Sequence, residues 1–220
     1  MNYLSIKYKP YIQNKEFLSS VAISFLFLIG SIAMTFFAIL YATERASYPV
    51  TDIILSNIPV FDVDNIFIYG PVIFWIIAVI YAFVFEFKKI PFMLKSIALF
   101  VFIRAVFITL THIGPFPDHM ITSVSNTFFS VFTSGSDLFF SSHTGLPFLM
   151  ALIFWENKRS RWFFLASSFF FGAIVLMAHL HYSIDVAAAF FITYAIFRLA
   201  QKWFKKEQRF FLETPKEEKI

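Results

Sequence analysis

An all-α integral membrane protein with six transmembrane helices is predicted by three features of this sequence. They are its excess of apolar residues, the lengths of its apolar stretches and the one-sided placement of its cations. Of its 220 residues, 59% are hydrophobic and 15% are charged, and the mean hydropathy is +0.72. A soluble domain averages roughly 45–50% apolar and about 25% charged residues. Lipid must therefore be the solvent for much of this chain. The 34 phenylalanines suit a lipid-facing surface but carry no chemistry. With no cysteine, the chain has no disulfide, thiolate nucleophile or Cys-ligated metal.

A helix needs about 20 apolar residues to cross a bilayer. Stretches that approach this length are Phe17–Tyr41, Ile66–Phe85, Pro91–Ile113, Leu146–Trp155, Trp162–His179 and Ile184–Phe204. The first is too long, and lacks the small-residue cleavage site, for a signal peptide; it reads as a retained anchor. The fourth is too short alone. It spans only if it begins near Ser141, which puts Ser141, Ser142, His143 and Thr144 on its first turn.

The cations then set an orientation. Lys7, Lys9 and Lys15 precede the first span; Lys88, Lys89 and Lys95 join the second to the third; Lys158, Arg159 and Arg161 join the fourth to the fifth. The C-terminal end carries seven more, from Arg198 to Lys219. The opposite loops hold Arg45 alone, among Glu44, Asp52, Asp62, Asp64, Asp118 and Asp137. By the positive-inside rule both termini are expected in the cytoplasm. Topology thus accounts for the net charge of +4, and no nucleic-acid partner is expected. The expected organisation is a cytoplasmic segment over 1–16, a six-helix membrane domain over 17–206 and a charged tail over 207–220, a frayed helical extension. No internal repeat is evident. The long loop Gly114–Phe140, rich in Pro, Ser, Thr and Asp, reads as a lid or binding element.

On that topology the ionisable residues near the membrane gather at its outer side. His143 opens the fourth helix, while His179, His181 and Asp185 straddle the turn between the fifth and sixth. Arg104 falls roughly 13 Å below the outer end of the third helix. Ionisable residues at such depth default to functional hypotheses. His181 and Asp185, four apart, are expected on one helix face. A carboxylate there can take the Nδ1 proton and leave Nε2 as nucleophile or base. Two imidazoles, a carboxylate and a guanidinium suit phosphoryl transfer: nucleophile, orienter, general acid and charge clamp.

Two segments carry a resemblance. Gly135-Ser-Asp-Leu-Phe-Phe-Ser-Ser-His143-Thr and Ala178-His-Leu-His181-Tyr-Ser-Ile-Asp185-Val resemble the two catalytic motifs of the sphingomyelin synthase family. That family is a branch of the type 2 phosphatidic acid phosphatase (PAP2) superfamily. Its motifs place Asp six residues before the His of Ser-Gly-His-Thr, then His-Tyr-Thr-x-Asp-Val before an aromatic-rich helix, as Ala187–Phe197 is here. Arg104 followed by Pro115-Phe-Pro117 resembles the family's third-helix Arg and Pro-x-Pro loop. Pro49-Val-Thr-Asp52 is similar to its first external Pro-Leu-Pro-Asp. The matches run in order over Pro49–Phe204 and imply a PAP2-like bundle with an external active site. They imply that His181 attacks phosphorus to form a phosphohistidine, Asp185 orients it and His143 protonates the leaving alcohol. Asp137, Ser141, Ser142 and Arg104 become candidates for binding phosphate or substrate. This sequence departs at Ser142, where the family has Gly. The Lys-x6-Arg-Pro and Ser-Arg-x5-His motifs of ordinary lipid phosphatases are also absent, Val175 standing where the second motif has Arg.

Each residue also has a plainer reading. His143 could cap a helix, although Ser141 and Thr144 would cap better. His181 with Asp185 could be an interfacial ion pair, and His179 reads best as an interfacial histidine. Asp137 could be an ordinary loop acid, and Arg104 an intramembrane partner for a carboxylate. His179 and His181, two apart, diverge on a helix, so no metal is expected, and no cofactor. The expected partners are lipid substrates and the bilayer. A lipid alcohol as acceptor makes a transferase; water makes a phospholipase C-like hydrolase or a PAP2-type lipid phosphate phosphatase. The non-enzyme alternative is a proton-coupled transporter, which predicts ionisable groups through the whole membrane depth and repeated halves.

Overall fold

The computed structural model describes residues 3–120 and 138–212. Asp137 and the greater part of the Gly114–Phe140 loop lie outside the described residues. Among those described, the regular structure is helical: α1 (Tyr3–Ile12), α2 (Lys15–Glu44), α3 (Asp64–Phe85), α4 (Ile90–Leu110), α5 (Ser142–Ile153), α6 (Lys158–Met177), α7 (Ser183–Trp203) and α8 (Lys205–Leu212). Short 3₁₀ turns at Leu55–Asn57 and Phe87–Lys89 precede α3 and α4.

Among the described residues five helices are long and apolar enough to cross a membrane: α2, α3, α4 with its preceding turn, α6 and α7. The chain is therefore an all-helical, multi-pass membrane protein. The fourth expected span is the exception. α5 has 12 residues, about 18 Å at 1.5 Å per residue, against a hydrocarbon core of about 30 Å. Its start is fixed by the extended backbone of Ser141, and it stops at Phe154 because Asn157 already caps α6. The Asn157 side chain accepts from the N–H groups of Arg159 and Ser160 at 3.0 and 3.2 Å.

α5 is the most enclosed of the long apolar segments. It packs on α6 and α7 and touches α4, and Thr144, Gly145, Pro147 and Leu149 through Ile153 are buried. Gly145 makes this approach possible. A Cβ there would lie 2.7 Å from the Phe100 ring and 2.8 Å from Thr193 Oγ1. Lipid supplies no hydrophobic drive between helices, so close packing of small and hydroxyl residues does the work. The same device joins α2 to α4, where Ser20, Ser24, Ser31 and Thr35 are buried along one stripe. α3 is more peripheral, held to α6 by edge-on contacts of Phe74 with Phe164 and Phe171, each at 5.8 Å.

α8 is not a frayed extension. Glu207 is buried, pairs with Lys95 of α4 and accepts from Ser20 Oγ of α2 at 3.1 Å, which docks the helix against the bundle.

The loops at the other end form one fabric. Ser47 N–H donates to His112 O at 2.8 Å and Gly114 N–H to Tyr48 O at 3.2 Å. Glycine is required at 114, since a Cβ would fall 2.2 Å from Ser47 O. Phe61 N–H donates to Met177 O and Met120 N–H to Ala178 O, both at 2.9 Å. Two loops, those after α2 and after α4, thus converge on the turn between α6 and α7.

Candidate functional site

That turn is a Schellman motif. α6 ends at Met177 with Ala178 as its cap; His179 N–H returns to Leu176 O and Leu180 N–H to Val175 O, both at 3.0 Å. The motif needs a left-handed residue just after the cap, a place usually taken by Gly. The sequence offers no Gly there, and His179 takes φ 54° instead. Such a backbone costs roughly 1–3 kcal/mol and persists only where the surroundings over-determine it. Here they do. His179 is buried, its Nδ1 lies 2.7 Å from Asp118 O, and its ring meets Phe116 edge-on at 5.3 Å. Its Nε2 is buried without a hydrogen-bond partner among the described residues.

His181 and Asp185 do meet, but not on one helix face. α7 begins only at Ser183, so His181 precedes the helix. The contact forms because Asp185 is the third residue of α7 and folds back over the helix start. Its Oδ2 accepts from Tyr182 N–H at 3.1 Å and lies 3.2 Å from His181 Nδ1. One carboxylate oxygen thus satisfies the helix entrance and holds the imidazole. His181 and Asp185 are 5% and 2% exposed, so little water competes for the contact.

The helix that carries His143 is tied to this turn through its backbone. Ser141 N–H donates to Asp185 O at 3.0 Å, and His143 is the second residue of the helix that follows. Ser141 gives no side-chain cap, and its Oγ is buried without a hydrogen-bond partner among the described residues. The first N–H groups of α5 have no acceptor in the helix itself and favour negative charge. A phosphate placed there gains backbone donors without further machinery. Ser142 and His143 also line a small cavity of about 90 Å³ with Pro71, Phe74, Trp75, Leu146, Pro147 and Phe171. His181 and Asp185 are not among its walls. The His143 ring lies 4.8 Å from that of Phe67.

Arg104 is 4% exposed, and its Nε donates to Phe140 O at 3.2 Å, one peptide before Ser141. α4 ends at Leu110, so Arg104 is about 9 Å below its outer end, shallower than the 13 Å expected. Phe139, just before that carbonyl, has φ 145° and stacks on Phe107 at 5.1 Å. The Ser141–Asp185 backbone bond thus ties the start of α5, which carries Ser142 and His143, to the turn that holds His181 and Asp185, and Arg104 is tied to the peptide before Ser141. Asp137 lies outside the described residues.

Two residues gain weight over the sequence reading. Tyr182, buried at the start of α7, donates from its hydroxyl to Gly114 O at 2.8 Å and accepts from Val50 N–H at 3.2 Å. Asp52 reaches over from the loop after α2. Its Oδ1 accepts from Ile54 and Leu55 N–H at 2.9 and 3.0 Å, its Oδ2 from Ser183 N–H and Oγ at 2.7 and 2.8 Å. Burial pushes the Asp52 carboxyl upward, but these four donors outweigh it and hold its pKa below the usual carboxylate value. A depressed folded-state pKa stabilises above the unfolded value, and that stability is lost as pH falls through the folded one. Asp52→Asn should therefore lower stability at pH 7 by about 1–3 kcal/mol, since its amide turns an N–H toward a donor. It should also flatten the decline below about pH 4. Thermal unfolding in detergent at neutral and acid pH measures both; a variant as stable and as acid-sensitive as the parent would remove the clamp from this account.

Residues 134–202 match the family model described as PAP2 superfamily C-terminal. The matched stretch takes in α5, α6 and nearly all of α7, with both histidines of the Ser141–Asp185 junction. Arg104 and Asp52 fall outside it. No curated protein and no solved structure matches the chain. The match supports the PAP2 superfamily, and with it an activity of the lipid phosphatase or phosphotransferase type, without reaching the sphingomyelin synthase branch.

Proposed function

We propose that the protein is a membrane-embedded lipid phosphotransferase of the sphingomyelin synthase kind. It moves a phospho-head group from a phospholipid to a lipid alcohol, or to water, through a phosphohistidine. The observation that carries this reading is the shared anchor: Asp185 holds His181 through its side chain and the helix of His143 through its backbone. In the first step His181 Nε2 attacks phosphorus while Nδ1 keeps its proton and donates it in a hydrogen bond to Asp185; a P–N bond forms and the P–O bond to the leaving alcohol breaks. His143, entering as imidazolium, gives that oxygen its proton. The acceptor hydroxyl then attacks the phosphohistidine, His143 takes its proton, and both histidines return to their starting states. The N-terminus of α5 and Arg104 stand where charge develops on the phosphoryl oxygens. The direct test incubates purified enzyme with labelled phospholipids, with and without an alcohol lipid acceptor, and identifies products by mass spectrometry. A labelled phospho-lipid formed only with the acceptor is expected; absence of turnover on every lipid would refute the reading.

The second reading, a PAP2-type lipid phosphate phosphatase, is disfavoured by Val175. It is fully buried in an apolar cluster with Phe67, Ile174 and Ala178, where ordinary lipid phosphatases are expected to have a cation. Phosphodiester lipids should therefore turn over faster than monoesters. Phosphatidic acid outrunning every diester tested would favour the phosphatase.

The cation asymmetry supports an external site with both termini cytoplasmic. Exposed positions at opposite ends of the bundle test it on this Cys-free chain. In intact cells an impermeant thiol reagent should label Ser56→Cys and miss Glu156→Cys. The reverse pattern would invert the orientation.

A further inference from the structure

At the end of the bundle opposite the histidines, a cavity of about 650 Å³ opens between α5, α7, α8 and the start of α4. Its volume is that of a small-molecule site. Phe92, Phe148, Leu152, Phe197 and Phe211 make its apolar walls, while Arg198, Gln201 and Gln208 bring polar groups from α7 and α8. Lys89 also lines it, but its charge is already met by Glu86 at 3.6 Å and Glu156 at 3.3 Å. Arg198 differs. It is exposed and has no hydrogen bond or ion pair among the described residues. The neighbouring surface adds exposed Lys202, Lys205 and Arg209. Glu207, the acid of α8, is buried against Lys95 and does not offset them.

These walls call for an acyl chain, and this rim for an anion. Trp155 lines the cavity and is about half exposed, with the Arg161 guanidinium 4.9 Å from its ring, an arrangement typical of the headgroup level of a bilayer. Basic residues following a transmembrane helix attract anionic lipids. We propose that this cavity holds one anionic phospholipid of the adjoining leaflet, with an acyl chain between the phenylalanines and the phosphate on Arg198, assisted by the amides of Gln201 and Gln208. Arg198 lies about 22 Å along α7 from Ser183, so this lipid is a bound ligand and not the reacting substrate.

The test uses the full chain in phosphatidylcholine nanodiscs carrying a trace of phosphatidylglycerol with a photoreactive acyl tail. After irradiation, peptide mapping should find saturable labelling on Phe148–Trp155 and Tyr194–Leu212. Unlabelled phosphatidylglycerol should compete for it and added phosphatidylcholine should not. Arg198→Gln should weaken retention about fivefold, while Arg198→Lys, which keeps the charge, should restore most of it. Equal labelling by a phosphatidylcholine probe, labelling as dense on α3 as at the cavity, or no effect of Arg198→Gln would each overturn the proposal.

Discussion

His181→Ala should show neither lipid turnover nor any phosphate trapped on protein denatured during the reaction. His143→Ala should keep the trapped phosphate while turning over slowly. The asymmetry follows from what each imidazole touches. His181 has Asp185 Oδ2 at 3.2 Å from its Nδ1, a contact that on the proposed mechanism sets the tautomer and leaves Nε2 for phosphorus. His143 sits at the start of α5 beside Phe67, on a turn rich in hydroxyl groups, and is assigned the proton for the leaving oxygen in the proposed mechanism. Without the nucleophile no covalent intermediate forms. Without the acid a placed proton transfer is lost, about 10²–10⁴-fold in rate. A nitrophenyl phosphodiester, whose leaving group needs no proton, should therefore rescue the first half-reaction of His143→Ala but not His181→Ala. Acid-labile phosphate retained by His181→Ala and missing from a folded His143→Ala would reverse the two roles.

Asp185→Asn should lose activity on the order of 10⁴-fold while remaining folded. One carboxylate oxygen takes both the Tyr182 N–H and the contact with His181. The amide oxygen of Asn can take over both, so the start of α7 survives. What disappears is the negative charge. On the proposed mechanism attack through Nε2 makes the ring cationic, and a neutral amide stabilises that cation far less than a carboxylate does. Asp185→Ala removes the acceptor as well and should lower stability by about a further 1 kcal/mol. Kinetics paired with thermal unfolding separates the two. A near-normal rate in Asp185→Asn would mean that the carboxylate acts on α7 alone.

The spans were legible because a bilayer imposes one length and one composition on every helix that crosses it. α5 escaped that rule because it is enclosed by α4, α6 and α7, so its length answers to packing rather than to lipid. His143, His181, Asp185 and Arg104 could be singled out because ionisable groups are rare in such segments. Their joining could not, since it depends on a backbone bond from Ser141 to Asp185 that leaves no compositional trace. The spacing of His181 and Asp185 suggested a helical face; a helix entrance makes the same contact, and sequence spacing does not separate the two geometries. Asp52 and Tyr182 were harder still, because the contacts that tie them into the site, to Ser183 and to the Gly114 carbonyl, lie more than 60 residues away. His179 had one usable sign. A helix end without Gly must force some other side chain into left-handed backbone.

That last point has a consequence for how the protein should fail. Phe139 and His179, two side chains in backbone conformations that ordinarily suit glycine, stand two residues before Ser141 and His181 respectively. Each site turn is therefore held off its own minimum by neighbours: Phe107 and Arg104 for one, Phe116 and the Asp118 carbonyl for the other. Relaxing either turn needs only the loss of those few contacts, not the parting of α2 from α4 or α5 from α6. Heat or detergent should thus release the two turns while the helices stay associated. Inactivation and helix loss then become separate events, and the candidate site has a shorter lifetime than the bundle that carries it.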